Sequence, residues 1–268
     1  MIRHLALSLL PLLLYAAAIA CLAWQPPASN RYPRAAAGWA AAGALVHGLM
    51  VAMAIQSPAG LIISMTDSLS LIGWVIATTT VIMMVWRPLG LLAVALLTIA
   101  GLLAIGTGWQ SGFIEVTPPE WEMSAHIGLA ALAAGWLSMS AVIVLLLAWQ
   151  QQRLRARIPL GLLAQLPPVE TMENTLFHII AAGFAVLTLA LVTGFFFVTD
   201  LLAQHLVHKM VLALLAWLVF GCLLIGRVRY GWRGTRALQF TLVGFASLVL
   251  AYFGSKFVLE TLLGRHWG

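Results

Sequence analysis

Eight apolar stretches, each of about 20 residues and separated by short polar segments, set the pattern of this sequence. A helix needs about 20 apolar residues to cross roughly 30 Å of hydrocarbon, because its backbone groups must be paired within the segment. The breaks carry turn signals, among them Pro26-Pro27, Ser57-Pro58, Arg87-Pro88 and Pro167-Pro168. The pattern predicts an all-α polytopic membrane bundle, a single membrane domain over residues 1–268. Its eight transmembrane helices are expected at about 5–24, 35–55, 68–86, 88–106, 124–149, 174–198, 206–226 and 236–259.

The composition excludes an ordinary soluble domain. Hydrophobic residues make up 62% of the chain, charged residues only 8%, and the mean hydropathy is +1.01, whereas soluble domains are about 25% charged. Disorder is excluded as well, because a disordered chain has little hydrophobicity and much charge. The two cysteines, Cys21 and Cys222, cannot build a disulfide framework. A protein embedded in a membrane remains.

The basic residues are distributed unequally between the two sides that eight spans would create. Ten of the 14 Lys and Arg residues fall on the side opposite the termini. The positive-inside rule then places both termini outside the cytoplasm, with the chain in the bacterial cytoplasmic (inner) membrane. Because these residues are scattered between apolar runs, membrane lipid is an expected partner and nucleic acid is not. An alternative interpretation takes residues 1–24 as a cleaved signal segment, which would leave seven spans. The ten basic residues on the side opposite the termini are Arg31, Arg34, Arg87, Arg153, Arg155, Arg157, Arg227, Arg229, Arg233 and Arg236.

Histidine is the main candidate for chemistry within the spans. No acidic residue lies deep in a span, and the sequence has neither a Gly-rich phosphate loop nor a His-Glu-x-x-His pattern. Histidines on different transmembrane helices suit the axial ligation of haem iron by neutral imidazoles. The alternative is that each histidine only hydrogen-bonds a neighbouring helix. The seven histidines are His4, His47, His126, His178, His205, His208 and His266.

Depth along the spans sorts the histidines into two possible pairs. His47 is in the middle of the second span, and His178 lies about one turn inside the cytoplasmic end of the sixth, so these two are predicted to face one another. His126 is at the outer start of the fifth span and is predicted to face His208, His205 or His266 near the outer surface. The hypothesis is therefore two haem sites at two depths.

Four groups of residues carry a family resemblance, and together they extend over nearly the whole chain. In their order and spacing, the chain resembles the cytochrome c assembly superfamily of haem-handling membrane proteins, of the CcsA/HemX type, and most closely its short YpjD-like branch. The groups are Val46-His47-Gly48 with SMTDSL at 64–69; AHIGL at 125–129; the run 167–194 around His178; and Lys209 with Trp217, Gly231-Trp232-Arg233-Gly234, Gly244-Phe245 and Tyr252-Phe253-Gly254.

The resemblance implies a non-covalently bound haem b and a set of histidine ligands. His47 matches a family histidine in an early span that helps to hold a membrane haem, and His126 matches one that helps to hold an outer haem. His266 resembles the second outer ligand, while His208 stands where the family usually has an acidic residue. The family's histidine at the cytoplasmic end of helix seven is absent here, and His178 is the candidate replacement. The expected axial ligands of haem iron are His47, His126 and His178, with His208 and His266 as further haem-binding candidates.

The resemblance also implies a function, with one departure from the family pattern. Haem-attaching members carry a tryptophan-rich outer loop before helix seven, and the corresponding residues 198–205 contain no tryptophan. The expected function is therefore to hold, shuttle or help deliver haem without covalent attachment, with other cytochrome assembly proteins or an apocytochrome as partners. The alternatives are a transporter or permease for another small molecule, a b-type membrane cytochrome that passes electrons, and a structural assembly partner. Since no residues mark a catalytic site, no enzymatic activity is assigned.

Overall fold

The computed structural model describes residues 2–23, 34–57, 60–86, 89–107, 115–117, 121–197 and 204–254. Within these ranges, residues 2–8, 57, 60–63, 115–117, 197, 204–208 and 253–254 are described by their backbone alone. Eight α-helices lie in the described part of the chain. They are α1 (Ile2–Ala23), α2 (Arg34–Ile55), α3 (Met65–Trp86), α4 (Leu91–Ala104), α5 (Trp121–Arg155), α6 (Val169–Phe197), α7 (Gln204–Tyr230) and α8 (Thr235–Val249).

The helices confirm the prediction of an all-α membrane bundle, since each of the eight predicted spans coincides with one of them. Six are long and apolar enough to cross a membrane, namely α2, α3, α5, α6, α7 and α8 with the turn that follows it. In the described part of the chain, the helices α1 and α4 contain shorter apolar segments, Leu9–Ala23 and Leu91–Ala104. The chain is therefore a multi-pass membrane protein.

The start of α3 lies three residues before the predicted start at residue 68. The hydroxyl of Ser64 accepts a hydrogen bond from the backbone N–H of Asp67 at 3.1 Å, and Asp67 Oδ2 accepts one from the backbone N–H of Ser64 at 3.2 Å. This reciprocal cap satisfies backbone donors that a helix end otherwise leaves unpaired. The polar residues before position 68 therefore begin the helix instead of preceding it, and Asp67 is buried.

Two helices continue well past their apolar runs. The helix α5 has 35 residues, which is roughly 52 Å at about 1.5 Å per residue, because residues 150–155 are good helix formers with no glycine or proline among them. The helix α7 continues to Tyr230 and ends before Gly231, whose φ of 64° suits glycine at a helix end. Hydrophobicity alone therefore gives the spans but not the helix ends.

A small antiparallel sheet is present that the sequence analysis did not predict. Its strands are β1 (Gln56–Ser57), β2 (Gly60–Ile63) and β3 (Glu115–Thr117), in the order β1-β2-β3. Gln56 pairs with Leu61, and Ile62 pairs with Val116. The sheet thereby connects the segment between α2 and α3 with the segment before α5. Strands of two to four residues are too short for an alternating pattern to reveal them.

The first of two compact units comprises residues 1–124 and 149–172. In it α1 packs against α2 and α4, and α3 packs against the same two helices. Ala36, Ala40 and Ala44 line the buried face of α2, and such small side chains let helix backbones approach closely in a membrane. A short 3₁₀ helix, Gly161–Gln165, also belongs to this unit.

The second unit comprises residues 125–148 and 173–268. Its helix α6 contacts α5 where Leu137 packs on Gly183. It contacts α7 where the rings of Phe184 and Trp217 stack at 5.5 Å between centroids. The helix α7 packs against α8 and against the π turn Leu250–Gly254 that follows it. A single membrane domain over the whole chain stays a prediction.

Candidate functional site

His47 lies in the middle of α2 and is completely buried in the first unit. Both nitrogens of its ring meet hydroxyl groups. The Tyr15 hydroxyl on α1 is 3.2 Å from Nδ1, and the Ser70 hydroxyl on α3 is 2.9 Å from Nε2. Tyr15 and Ser70 are themselves fully buried. His47 on α2 is thus hydrogen-bonded to both α1 and α3. These hydrogen bonds pair polar groups that would have no partner in hydrocarbon.

The hydrogen bonds around His47 run in one direction. Thr107 donates its hydroxyl proton to the carbonyl of Ala104 at 2.7 Å, so its oxygen accepts from Ser70. Since Ser70 donates to Thr107, its oxygen accepts from Nε2–H of His47. A neutral imidazole carries one N–H, so Nδ1 is left to accept from the Tyr15 hydroxyl. Each hydroxyl group and each ring nitrogen in this series of hydrogen bonds therefore has a partner.

The rest of the His47 ring is enclosed by close-packed neighbours. A Cβ atom added at Gly73 would lie 3.4 Å from Cε1 of the imidazole. On α3, one turn after Ser70, Trp74 packs on Gly48 of α2. Its indole N–H donates to the carbonyl of Ala44 at 3.0 Å. The site around His47 is therefore a filled, hydrogen-bonded core, in which an iron atom would have to replace one of the two hydroxyl contacts.

His126 lies in the first turns of α5, half-buried in the second unit. Its Nδ1 is 3.2 Å from the hydroxyl of Thr193 on α6, and the backbone of Ala190 on the same helix also hydrogen-bonds the imidazole. The next residue, Gly194, lies against the ring, where an added Cβ would be 2.9 Å from Cε1. One ring nitrogen of His126 is thus anchored to the neighbouring helix, as is usual for a metal-ligating histidine.

The other predicted ligands have different surroundings. His178 is exposed on α6, between the buried side chains of Phe177 and Ile180. The backbone of His208 is in α7, but its side chain and all of His266 lie outside the described residues. For His205, as for His208, the structure describes the backbone in α7 but not the side chain. The predicted pairs, His47 with His178 and His126 with an outer histidine, stay predictions.

Arginines at the end of α7 and the start of α8 contact aromatic rings. The Arg227 guanidinium lies 4.5 Å from the ring centroid of Phe177, and its Nη1 donates to the carbonyl of Trp232 at 3.4 Å. Arg236 lies 5.5 Å from the Trp232 ring. Cation–π contacts of this kind stabilise by about 0.5–1 kcal/mol at exposed sites. They hold the guanidinium groups in place at this end of the second unit.

The residues that contact His47 and His126 were not identified from the sequence. Tyr15, Ser70 and Thr107 accompany His47, and Thr193 accompanies His126. Their only sequence signal is a hydroxyl within an apolar run, which many transmembrane helices contain. Gly194 was noted only as part of the family pattern, and its contact with the imidazole gives that glycine a physical reason.

In the part of the chain that the structure describes, the histidines are not part of a bare metal site. In the described residues, no group of three or more His, Cys, Asp and Glu side chains is placed to hold a metal ion. A cofactor that brings its own equatorial ligands to iron, as a porphyrin does, needs only one or two axial donors. The donors among the described residues fit such a cofactor.

Comparison with known proteins agrees with the resemblance noted in the sequence. The family model for Cytochrome C assembly protein matches residues 40–263. The chain is 36% identical over 163 residues to Inner membrane protein YpjD of Escherichia coli (strain K12), and this match covers 60% of each chain. It is 32% identical over 182 residues to an uncharacterized 28.8 kDa protein of Azospirillum brasilense, covering 67% of each.

A more distant similarity extends to a named biogenesis protein. The chain is 27% identical over 100 residues to Cytochrome c biogenesis protein CcsA of Gloeobacter violaceus, which covers 37% of this chain and 30% of CcsA. No solved structure matches the chain. The predicted localisation is confirmed by the spans and by the inner-membrane relative. This multi-pass protein of the bacterial inner membrane belongs to the cytochrome c assembly protein family.

Proposed function

We propose that the chain binds haem b non-covalently through histidine and holds, shuttles or helps deliver it during cytochrome c biogenesis, without attaching it covalently itself. The observation that carries this proposal is the geometry of His126. Its Nδ1 is fixed by Thr193 on the neighbouring helix, and we propose Nε2 as the nitrogen that binds the iron. The family membership and the name of the CcsA relative support haem as the cofactor.

The residues around His126 fit the group that the family implies. The Thr193 hydroxyl restrains rotation of the imidazole, and Gly194 places no side-chain atom of its own against the Cε1 edge of the ring. A bound haem, held by the His126 imidazole, would supply an iron that can change oxidation state. The chain itself contributes the lone pair of Nε2 and apolar helix surface for the macrocycle.

His47 fits an axial role less directly than His126. Its two nitrogens already bond to Tyr15 and Ser70, and the longer of these contacts, 3.2 Å to Tyr15, is the one that iron would more easily replace. His178 is exposed on α6 and needs no such exchange. We therefore propose His126 as the first ligand to test, with His47, His178, His208 and His266 as candidates for the remaining positions.

The test is an absorption spectrum of the purified full chain. We expect protein purified in mild detergent to show a Soret band, reduced α and β bands, and near-stoichiometric haem by a pyridine haemochrome assay. His126→Gly should lose the signal of one haem species, and added imidazole should restore it, because free imidazole can occupy the space of the missing ring. Wild-type protein with the same imidazole is the control.

Each other outcome points to a different function. A colourless protein that does not take up added haem would overturn the proposal and favour a transporter or a structural assembly partner. Haem that stays unchanged in His126→Gly would overturn the assignment of this ligand. Rapid reduction of the bound haem by a quinol would favour the b-type cytochrome that passes electrons.

A further inference from the structure

We infer that Thr193 is a positioning residue that fixes the tautomer of His126, so that Nε2 is the unprotonated nitrogen that can bind a metal. The inference deepens the proposed function and rests on it for the identity of the metal group. It concerns the hydrogen-bond geometry of α5 and α6 within the second unit.

The first step is the position of the single hydroxyl proton of Thr193. Its Oγ1 lies 2.9 Å from the carbonyl of Leu189 and 3.0 Å from that of Ala190, the residues four and three positions earlier on the helix. These carbonyls only accept, so the hydroxyl donates to them in a shared bond. The oxygen of Thr193 therefore meets His126 with a lone pair, and Nδ1 of His126 donates to it. The backbone of Ala190, one of the two acceptors of the Thr193 proton, also hydrogen-bonds the imidazole.

A second threonine on α6 shows the same polarity where the donor is unambiguous. Thr188 donates its hydroxyl proton to the carbonyl of Phe184 at 2.8 Å and accepts the indole N–H of Trp217 at 2.9 Å. An indole nitrogen can only donate. On this helix, a threonine that donates to its own backbone thus accepts from a ring N–H on the next helix. Thr193 with His126 repeats that arrangement.

The consequence is a defined tautomer of the imidazole. A neutral histidine carries one ring N–H, and the hydrogen bond at one nitrogen decides the state of the other. With Nδ1 protonated and bound to Thr193, the lone pair lies on Nε2. Without such a partner the side chain favours the Nε2–H tautomer, which has no lone pair at Nε2 for iron.

Gly194 complements Thr193 on the same turn of α6. A Cβ atom at this position would lie 2.9 Å from Cε1, 3.4 Å from Nδ1 and 3.6 Å from Nε2 of His126. A side chain there would displace the ring from the Thr193 oxygen and cover part of the free edge. Thr193 therefore holds the imidazole by a hydrogen bond, and Gly194 leaves the space that the ring occupies.

The test reads the tautomer directly in haem-free protein. Histidine labelled with ¹⁵N in the detergent-solubilised full chain gives separate NMR signals for protonated and unprotonated ring nitrogens, and His126→Gln identifies the signals of His126. We expect Nδ1–H in the wild type, a shift of the population toward Nε2–H in Thr193→Val, and recovery in Thr193→Ser. Thr188→Val, the same substitution five residues earlier, should leave His126 unchanged.

A second measurement connects the tautomer to the proposed cofactor. Loss of the hydrogen-bond partner of a ligating histidine typically weakens metal affinity by about 10–100-fold. We expect Thr193→Val to weaken hemin binding to the site of His126 by this factor and to shift its midpoint potential. Thr193→Ser should restore both, which a merely space-filling role would not require.

The outcomes separate this inference from the proposed function. If the His126 tautomer is the same in Thr193→Val as in the wild type, the inference is wrong, whether or not haem binds. If the tautomer changes as expected but the wild type takes up no haem, the proposed function is wrong and the positioning role of Thr193 stands. Folding of each variant is checked by the unchanged NMR signals of the other histidines.

Discussion

At the scale of single residues, the hydroxyl of Tyr15 is the group whose removal best tests the His47 network. Tyr15→Phe keeps the buried ring but removes the donor to Nδ1 of His47, which leaves that nitrogen unpaired in a fully buried site. We expect the free energy of unfolding to fall by about 1–2 kcal/mol. The measurement is reversible unfolding of the full chain in mixed detergent micelles.

Tyr230→Phe is the matched control for this substitution. The Tyr230 side chain is 74% exposed, and its ring contact with Trp232 does not depend on the hydroxyl. Its removal should change stability by no more than about 0.5 kcal/mol. Equal stabilities of the two variants would show that the hydrogen bond between Tyr15 and His47 makes no net contribution.

The sequence identified the histidines but not the residues that hold them. His47 and His126 are noticeable because ionisable groups are rare inside apolar spans. Ser70 and Thr193 are not noticeable, since a hydroxyl in a transmembrane helix can bond to its own backbone and needs no partner. Whether it meets a histidine depends on how two helices are rotated about their axes, and one chain's hydrophobic pattern does not fix that rotation when all faces are apolar.

At the scale of helices, the ring of Tyr15 sets how closely α1 approaches its neighbours. A Cβ added at Gly43 on α2 would lie 2.7 Å from Cδ1 and Cε1 of this ring, and one at Gly101 on α4 would lie 3.4 Å from Cδ2. The ring is held between two backbones and cannot move away. Small residues at such crossings are how transmembrane helices pack tightly.

Gly43→Ala should therefore destabilise the first unit, by the about 1–3 kcal/mol typical of overpacking a core. Gly38→Ala on the same helix is the matched control, because nothing lies within 4 Å of an added Cβ there, and alanine should be neutral or stabilising by up to about 1 kcal/mol. Both are measured by thermal unfolding in detergent. A Gly43→Ala variant as stable as Gly38→Ala would contradict the close approach.

The positions of the helices were predictable, while their ends and the small sheet were not. The requirement that a span be apolar over about 20 residues acts on the sequence directly, so each span was found. The cap formed by Ser64 and Asp67 and the polar extension of α5 to Arg155 depend on local hydrogen bonding and helix propensity. A pattern of hydrophobic residues carries no information on local hydrogen bonding or on helix propensity.

At the scale of the whole molecule, the excess of basic residues predicts orientation. Arg153, Arg155 and Arg157 follow the apolar part of α5, and Arg227 and Arg229 lie at the end of α7. Moving such clusters across the membrane is opposed during insertion, so the side that carries them is expected to be cytoplasmic. The same rule places the segment between α4 and α5 outside and both termini outside.

Labelling of single cysteines in intact cells tests this orientation. In a background of Cys21→Ala and Cys222→Ala, Ser111→Cys lies in the segment predicted to be outside, and Pro159→Cys lies just after the basic end of α5. We expect a membrane-impermeant maleimide to label Ser111→Cys directly. Pro159→Cys should react only after the membrane is permeabilised, which also shows that its thiol is accessible. The reverse pattern would show that the orientation is inverted. His126 would then lie near the cytoplasm instead of near the outer surface. Delivery of haem to an apocytochrome outside the cytoplasm requires His126 at the outer surface, so this result would also contradict that role.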